Sequence, residues 1–328
     1  MYLGHALLAF ALAAPLARWI GLERRRALLV GVVAGVYGMV PDIDMWHTVY
    51  VIARAGPTNV FPTTEYVWPE SWIVHRTLTH SLLTGGLAVL VVFGFSDAYR
   101  RRTTTPLWSA ALPAIGSMLL IGLLVAVALS TDELLGLVTM GLFLGASLAV
   151  AWWALRRGLT PLEVSGAAAV GILSHPFGDV WMGHPPAFLY PLSSEPPIDR
   201  IYFSAEPTYN LLVAFGIEVT LGIVAALVAV RLTGRTVRET MHPVALAGFG
   251  YAGAVSFVPP PTFQLAYGFA AGVVAVGSIL GAVAAVHRVP NLRARPRDAI
   301  AVWGVTALVA ACCCLLGYAA AYSVMSPA

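Results

Sequence analysis

Residues 75–95 read HRTLTHSLLTGGLAVLVVFGF. Two histidines and an arginine stand at the mouth of a run that, from Leu82 on, is almost wholly apolar. The rest of the chain says where such a run is buried. The 328 residues are 59% hydrophobic and 11% charged, with a mean hydropathy of +0.80. A soluble globular chain is about 45–50% apolar and about 25% charged, so the excess here faces something other than water. Stretches of about 20 apolar residues are long enough to cross a bilayer. Ten occur, near residues 2–20, 27–44, 78–96, 107–130, 134–155, 161–182, 208–230, 243–258, 263–287 and 299–323. The eighth is short and Gly-rich. All are continuous rather than alternating, which argues for helices over barrel strands, because lipid leaves every backbone polar group to be satisfied internally. The expected fold is all-α: a polytopic transmembrane helical bundle of about ten helices.

The first run, LGHALLAFALAAPLA, lacks the basic residues that precede the core of a signal peptide, since nothing before Arg18 is positively charged. It is read as a membrane helix. Cys312, Cys313 and Cys314 are consecutive in the last run. Neighbours on a helix diverge by about 100°, a poor geometry for a metal or a disulfide, so they read as small apolar packing residues.

All 19 basic residues are arginine. Sixteen flank the odd-numbered connections between the runs: Arg18 and Arg24 to Arg26, Arg100 to Arg102, Arg156 and Arg157, Arg231, Arg235 and Arg238, then Arg288, Arg293, Arg295 and Arg297. Only Arg54, Arg76 and Arg200 fall on the even ones. Arginine-rich short loops stay cytoplasmic. The pattern therefore predicts an integral membrane protein of the cell membrane with both termini extracytoplasmic. The net charge of +3 is a topology signal, and no nucleic-acid partner is expected from it. The partner implied is the lipid bilayer; the oligomeric state stays open.

The polar residues then collect on one side. His5 lies at the outer end of the first run, Asp42 and Asp44 at the outer end of the second, His75 and His80 at the start of the third, and His175 and Asp179 near the outer end of the sixth. His175 and Asp179 are four apart and share a helix face. Asp42 and Asp44 follow Pro41 in a turn, where two close carboxylates repel unless a cation lies between them. His75 and His80 are five apart, so both serve one site only with His75 in the loop and His80 on the helix. Imidazole with carboxylate suits Zn²⁺, and also Mn²⁺ or Fe²⁺. Four histidines and three aspartates suffice for one or two ions. Ionisable groups at a membrane edge are functional candidates. His47 beside Trp46 reads as an interfacial residue, and His184 opens the rigid HPPAFLYP loop. Glu218, midway along the seventh run, is a structural acid or a proton relay.

These motifs, GHALLAF, VPDID, HRTLTHS and GILSHPFGDVWMGHPPAFLYP in this order, resemble those of the membrane-bound, LexA-binding, metal-dependent hydrolases. Gly4-His5, Pro41-Asp42-Ile43-Asp44, His75 to Ser81, Gly171, His175, Asp179 and Pro191 carry the likeness, which covers roughly the first 200 residues. It implies a hydrolase-like membrane domain over 1–207, with 208–328 as additional transmembrane helices. Glu206 is a weaker counterpart of an acid that follows the family's proline. Pro176 departs from the pattern inside a helix and is expected to kink or break it. A fainter resemblance is to zinc-dependent phospholipase C.

The leading expectation is hydrolysis of a phosphoester of a lipid or lipid-linked substrate at the extracytoplasmic face. His5, Asp42, Asp44, His75, His80, His175 and Asp179 are the expected metal ligands, the ion lowering the pKa of bound water. Arg76 would grip a phosphate or pair with an aspartate, and Thr79 and Ser81 would hydrogen-bond the ligand side chains. A transporter is the first alternative, and a membrane scaffold with a structural metal the second.

Overall fold

The computed structural model describes residues 2–55, 75–181, 183–262 and 265–325. Two ends of expected runs, residue 182 and residues 263–264, lie outside them. The described chain is helical, without a strand among the described residues. It forms two compact units, Met1–Ile201 and Tyr202–Ala328.

In the first unit, α1 (Tyr2–Trp19) and α2 (Arg24–Met39) pack against each other and against α6 (Pro161–Asp179). The contact is close because small residues line it. A Cβ on Gly38 would lie 2.8 Å from the His5 carbonyl oxygen, and one on Gly171 would lie 2.5 Å from the Ala34 carbonyl oxygen. Only glycine lets these backbones approach, and the approach sets His5 beside the end of α6. Pro41–Met45 forms a 3₁₀ turn after α2, followed by a short helix, α3 (Trp46–Ala55), that the apolar pattern did not single out. A second 3₁₀ turn, Leu78–His80, precedes α4 (Leu82–Thr104). The expected helix start at 78 is displaced because Ser81 caps the helix, its hydroxyl accepting from Leu83 and Thr84 N–H. Capping serines stop a helix by meeting its first free N–H groups.

α5 (Ala111–Arg156) spans 46 residues, about 69 Å if straight and more than twice an about 30 Å hydrocarbon core. It is not straight. Asp132 and Glu133 leave the helical region, with Glu133 at φ 49°. A Cβ on Gly136 would come within 2.4 Å of the Ala128 carbonyl oxygen, positions about 12 Å apart along a regular helix. The chain therefore doubles back, and its arms are the two runs expected at 107–130 and 134–155. Tyr37 Oη donates to the Ser147 carbonyl at 3.0 Å, and Trp46 Nε1 to Thr139 Oγ1 at 3.0 Å, tying the second arm to α2 and α3.

α6 begins with a capping box between Thr160 and Glu163 and runs through Pro176 to Asp179. The expected break at Pro176 does not occur.

The second unit holds α7 (Pro207–Leu232), the short α8 (Val237–Thr240), a 3₁₀ helix (Pro243–Ser256), α9 (Ala266–Arg288) and α10 (Pro296–Met325). The short eighth run is thus a 3₁₀ helix rather than an α-helix. α10 is central, with the 3₁₀ helix, α9 and α7 against it. Cys314 sits in its core with Phe269, Val273 and Tyr318, and the three cysteines are free. Among the described residues, six helical segments are long and apolar enough to cross a membrane, one of them the doubled Leu107–Arg156.

Candidate metal centre

The first unit brings all seven expected ligands together, buried, at one end of α1, α2 and α6. Local structure explains each position. Pro41 opens the 3₁₀ turn that carries Asp42 and Asp44. Residues two apart on such a turn diverge by about 240°, so the two carboxylates face different neighbours. His80 sits on the second 3₁₀ turn, not on the helix. His175 and Asp179 lie one turn apart on α6.

Four donor atoms lie close together around the two facing imidazoles. His80 Nε2 lies 3.0 Å from His175 Nε2, 3.2 Å from Asp179 Oδ2 and 3.6 Å from Asp42 Oδ1. His175 Nε2 is 3.5 Å from Asp42 Oδ1 and 3.5 Å from Asp179 Oδ2. A tetrahedral site with metal–ligand bonds of about 2.0–2.1 Å has edges of about 3.3–3.4 Å. Both imidazoles turn Nε2 inward. His175 Nδ1 donates to the Gly38 carbonyl at 2.7 Å, and His80 Nδ1 lies 2.9 Å from Thr79 Oγ1 and 3.3 Å from Asp44 Oδ2. With the Nδ1 atoms so engaged, the two Nε2 atoms face each other, and either a proton or a metal cation would hold them at that distance.

The charges agree. Asp42, Asp44 and Asp179 bring three negative charges into a buried cluster, against the one fixed positive charge of Arg76. Buried charge is costly unless compensated, and a divalent cation would balance it. Burial opposes protonation of His80, but Asp44, Asp179 and Asp42 outweigh it and hold the imidazole well above its ordinary pKa. The carboxylates thus favour a positive charge at His80, which a proton or a metal ion can supply. Asp42 Oδ2 and Asp179 Oδ2 are buried with no hydrogen-bond partner among the described residues.

The remaining candidates stand around this point. Asp44 accepts from His75 Nδ1 at 2.8 Å and from Thr79 Oγ1 at 2.6 Å. Its oxygens are spent on orienting histidines, as carboxylates behind metal-bound imidazoles are. His75 Nε2 accepts from Arg76 Nε at 3.2 Å, so neither nitrogen of His75 faces the centre unpartnered. His5 stacks on His175 with ring centroids 3.6 Å apart, and its Nε2 lies 3.3 Å from Asp179 Oδ1. By simple proximity, the donors form two triads, His5/His175/Asp179 and Asp42/His75/His80. The hydrogen bonds of His75 favour the four-atom grouping over the second triad.

Arg76 has φ 70°, an uncommon conformation for a non-glycine residue. Its Nη2 donates to Asp179 Oδ1 at 3.0 Å, and its Nη1 to the carbonyls of Asp179 and His184. The salt-bridge alternative is the one seen; the fork is committed to Asp179. Ser81 donates to the Tyr190 carbonyl at 2.6 Å and caps α4, so it anchors the 183–201 loop instead of a ligand. The carbonyl of Gly38 is a functional group that no sequence signal marks. His47 is buried against Trp46 and Tyr50, and the His184 ring is exposed. Glu206 belongs to the second unit, where it caps α7 by accepting from Tyr209 N–H at 2.7 Å. Glu218 lies midway along α7.

No curated protein and no solved structure matches the chain. A family model described as YdjM inner membrane protein matches residues 1–257. That match takes in the whole first unit, with every residue of the buried His/Asp cluster, and the chain belongs to the YdjM inner membrane protein family.

Proposed function

We propose that this protein is a membrane-bound, metal-dependent hydrolase that binds one divalent ion, zinc by its donor chemistry, through Asp42, His80, His175 and Asp179. The observation that carries the reading is that His80 Nε2 and His175 Nε2 lie 3.0 Å apart and each lies 3.2–3.6 Å from a carboxylate oxygen of Asp42 and of Asp179, all buried, with excess negative charge around them. When bound, such an ion polarises an ester oxygen and makes a water acidic enough to attack near neutral pH. The chain's own groups do the rest. Asp44 and Thr79 hold His80, the Gly38 carbonyl holds His175, and Arg76 holds Asp179. Among the described residues, Asp42 Oδ2 and His5 Nδ1 have no hydrogen-bond partner, which makes them the candidates to take a proton from an attacking water.

A phosphoester of a membrane lipid or lipid-linked molecule is the substrate class we favour. The 183–201 loop, bonded to the site through Arg76 and Ser81, exposes Leu189, Leu192 and Ile198, an apolar rim suited to an amphiphile. The arginine pattern puts this face outside. In a background without Cys312 to Cys314, an impermeant thiol reagent on intact cells should label a cysteine at Ser194 and spare one at Thr104; the opposite labelling overturns the orientation.

One observation favours the scaffold reading. Four protein donors complete a tetrahedron, as in structural zinc sites, whereas catalytic sites keep a position open. Turnover decides. Purified protein should carry about one transition-metal ion, and a panel of phospholipids and lipid-linked phosphates should contain a substrate whose hydrolysis stops on chelation. Stoichiometric metal with no hydrolysis across the panel would make the ion structural.

A further inference from the structure

The second unit carries a cavity of its own. Its helix ends gather arginine: Arg231, Arg235 and Arg238 follow α7 or end it, and Arg288, Arg293, Arg295 and Arg297 lie between α9 and the first turn of α10. In the same two stretches the acids are Glu239 and Asp298. Among these ends lies a cavity of about 390 Å³, lined by Arg235, Arg288 and Arg295 with Glu239, Asp298 and the apolar Val302. That volume is within the about 300–1,000 Å³ of small-molecule sites.

Asp298 is paired with two of the three arginines and Glu239 caps a helix, so the lining keeps one net positive charge, three arginines against two acids. Asp298 Oδ1 accepts from Arg235 Nη2 at 2.6 Å, and its Oδ2 lies 2.8 Å from Arg295 Nε. Glu239 Oε2 accepts from Thr236 N–H at 2.8 Å in the capping box of α8. Asp298 thus holds two guanidinium groups in place across the cavity, while Arg288 is fixed by a bond from Nη1 to the Met241 carbonyl. A guanidinium has five N–H donors, so these bonds leave several on each arginine for a ligand. Planar forks held in place by neighbours are the arrangement that binds phosphate oxygens. Position supplies the rest. α7, α9 and α10 are each of membrane-crossing length and composition, and the cavity lies at their arginine-rich ends, the level of lipid head groups. Apolar side chains stand exposed just inside those ends, Val283 and Val286 on α9 and Ile300 on α10, where acyl chains would run.

We infer that this cavity binds the phosphate of an anionic phospholipid head group, a second ligand site independent of the His/Asp cluster. Basic pockets between membrane helices are suited to that role. A soluble phosphate shares the recognised chemistry, so the test separates the two. Delipidated full-length protein in detergent would be titrated with phosphatidylglycerol, with phosphatidylcholine and with inorganic phosphate, and bound lipid read by native mass spectrometry. Phosphatidylglycerol should bind about tenfold more tightly than phosphatidylcholine. Arg288→Gln and Arg295→Gln should each remove the preference, whereas Arg293→Gln, in the same loop but outside the lining, should keep it. Arg295→Gln leaves Asp298 paired with Arg235, so it guards against a folding artefact at Arg288. Displacement of the lipid by inorganic phosphate at equal concentration would assign the site to a soluble phosphoester. Equal affinity for the two lipids, or equal losses in the Arg288 and Arg293 variants, would overturn the site.

Discussion

His80→Ala protein should purify without its transition metal and show no hydrolysis above background. His80 is the hub of the cluster, since its Nε2 lies within 3.6 Å of the donor atoms of Asp42, His175 and Asp179. Removing it takes away one of the four proposed ligands and leaves Asp42, Asp179 and His175 to share the ion without the imidazole that Asp44 and Thr79 hold in place. Asp179→Ala should do the same, because it removes a corner and frees Arg76. Asp44→Asn makes an informative middle case. It keeps the shape of the side chain but weakens the orientation of His80, and losing such a partner costs about 10–100-fold in metal affinity. Glu218→Gln, on α7 of the second unit, should retain both metal and turnover. The order expected in a metal titration is therefore wild type and Glu218→Gln together, Asp44→Asn weaker, and His80→Ala weakest. Full metal occupancy in His80→Ala would remove the proposed centre.

Arg76→Ala should lower the unfolding free energy by about 3–5 kcal/mol, the usual cost of leaving one partner of a buried ion pair alone. The side chain compensates Asp179, bridges to His75 and ties down the carbonyl of His184. Arg76→Lys should recover little of this, because one ammonium cannot reproduce a fork directed at three partners. Thermal unfolding in detergent reads the effect. A residue that instead gripped substrate would show the reverse: stability near wild type in Arg76→Ala, with a raised KM. That result would return Arg76 to the phosphate-binding role that its place in HRTLTHS suggested.

The two halves of that motif show what sequence can and cannot give. Leu82 to Phe95 is legible as a membrane helix because a long apolar run has few other stable destinations. The polar neighbours are legible as a group, since His5, Asp42, His80, His175 and Asp179 all fall at run ends on one side. Their individual roles are not. Asp42 and Asp44 are chemically identical and two residues apart, and only the 3₁₀ turn sends one inward and the other toward His75. Ser81 looks like a partner for histidine until its hydroxyl is seen at the start of α4, where the helix needs it. The Gly38 carbonyl is invisible in principle, since every residue has one. Residues 243–256 mislead for another reason: a 3₁₀ helix and an α-helix bury the same apolar composition, and composition is what marks a span.

The close seating of α6 on α1 and α2 through Gly171 and Gly38 also bears on biogenesis. His5 is made well before its partners: the stacked His175 and the neighbouring Asp179 follow some 170 residues later. During translation, Asp42, Asp44 and the HRTLTHS histidines must therefore wait at the membrane as an incomplete, negatively charged half-site while the α5 hairpin is inserted. On the proposed metal reading, loading would be a late event gated by insertion of α6, and a nascent chain arrested before Pro161 should bind ions loosely and without selectivity.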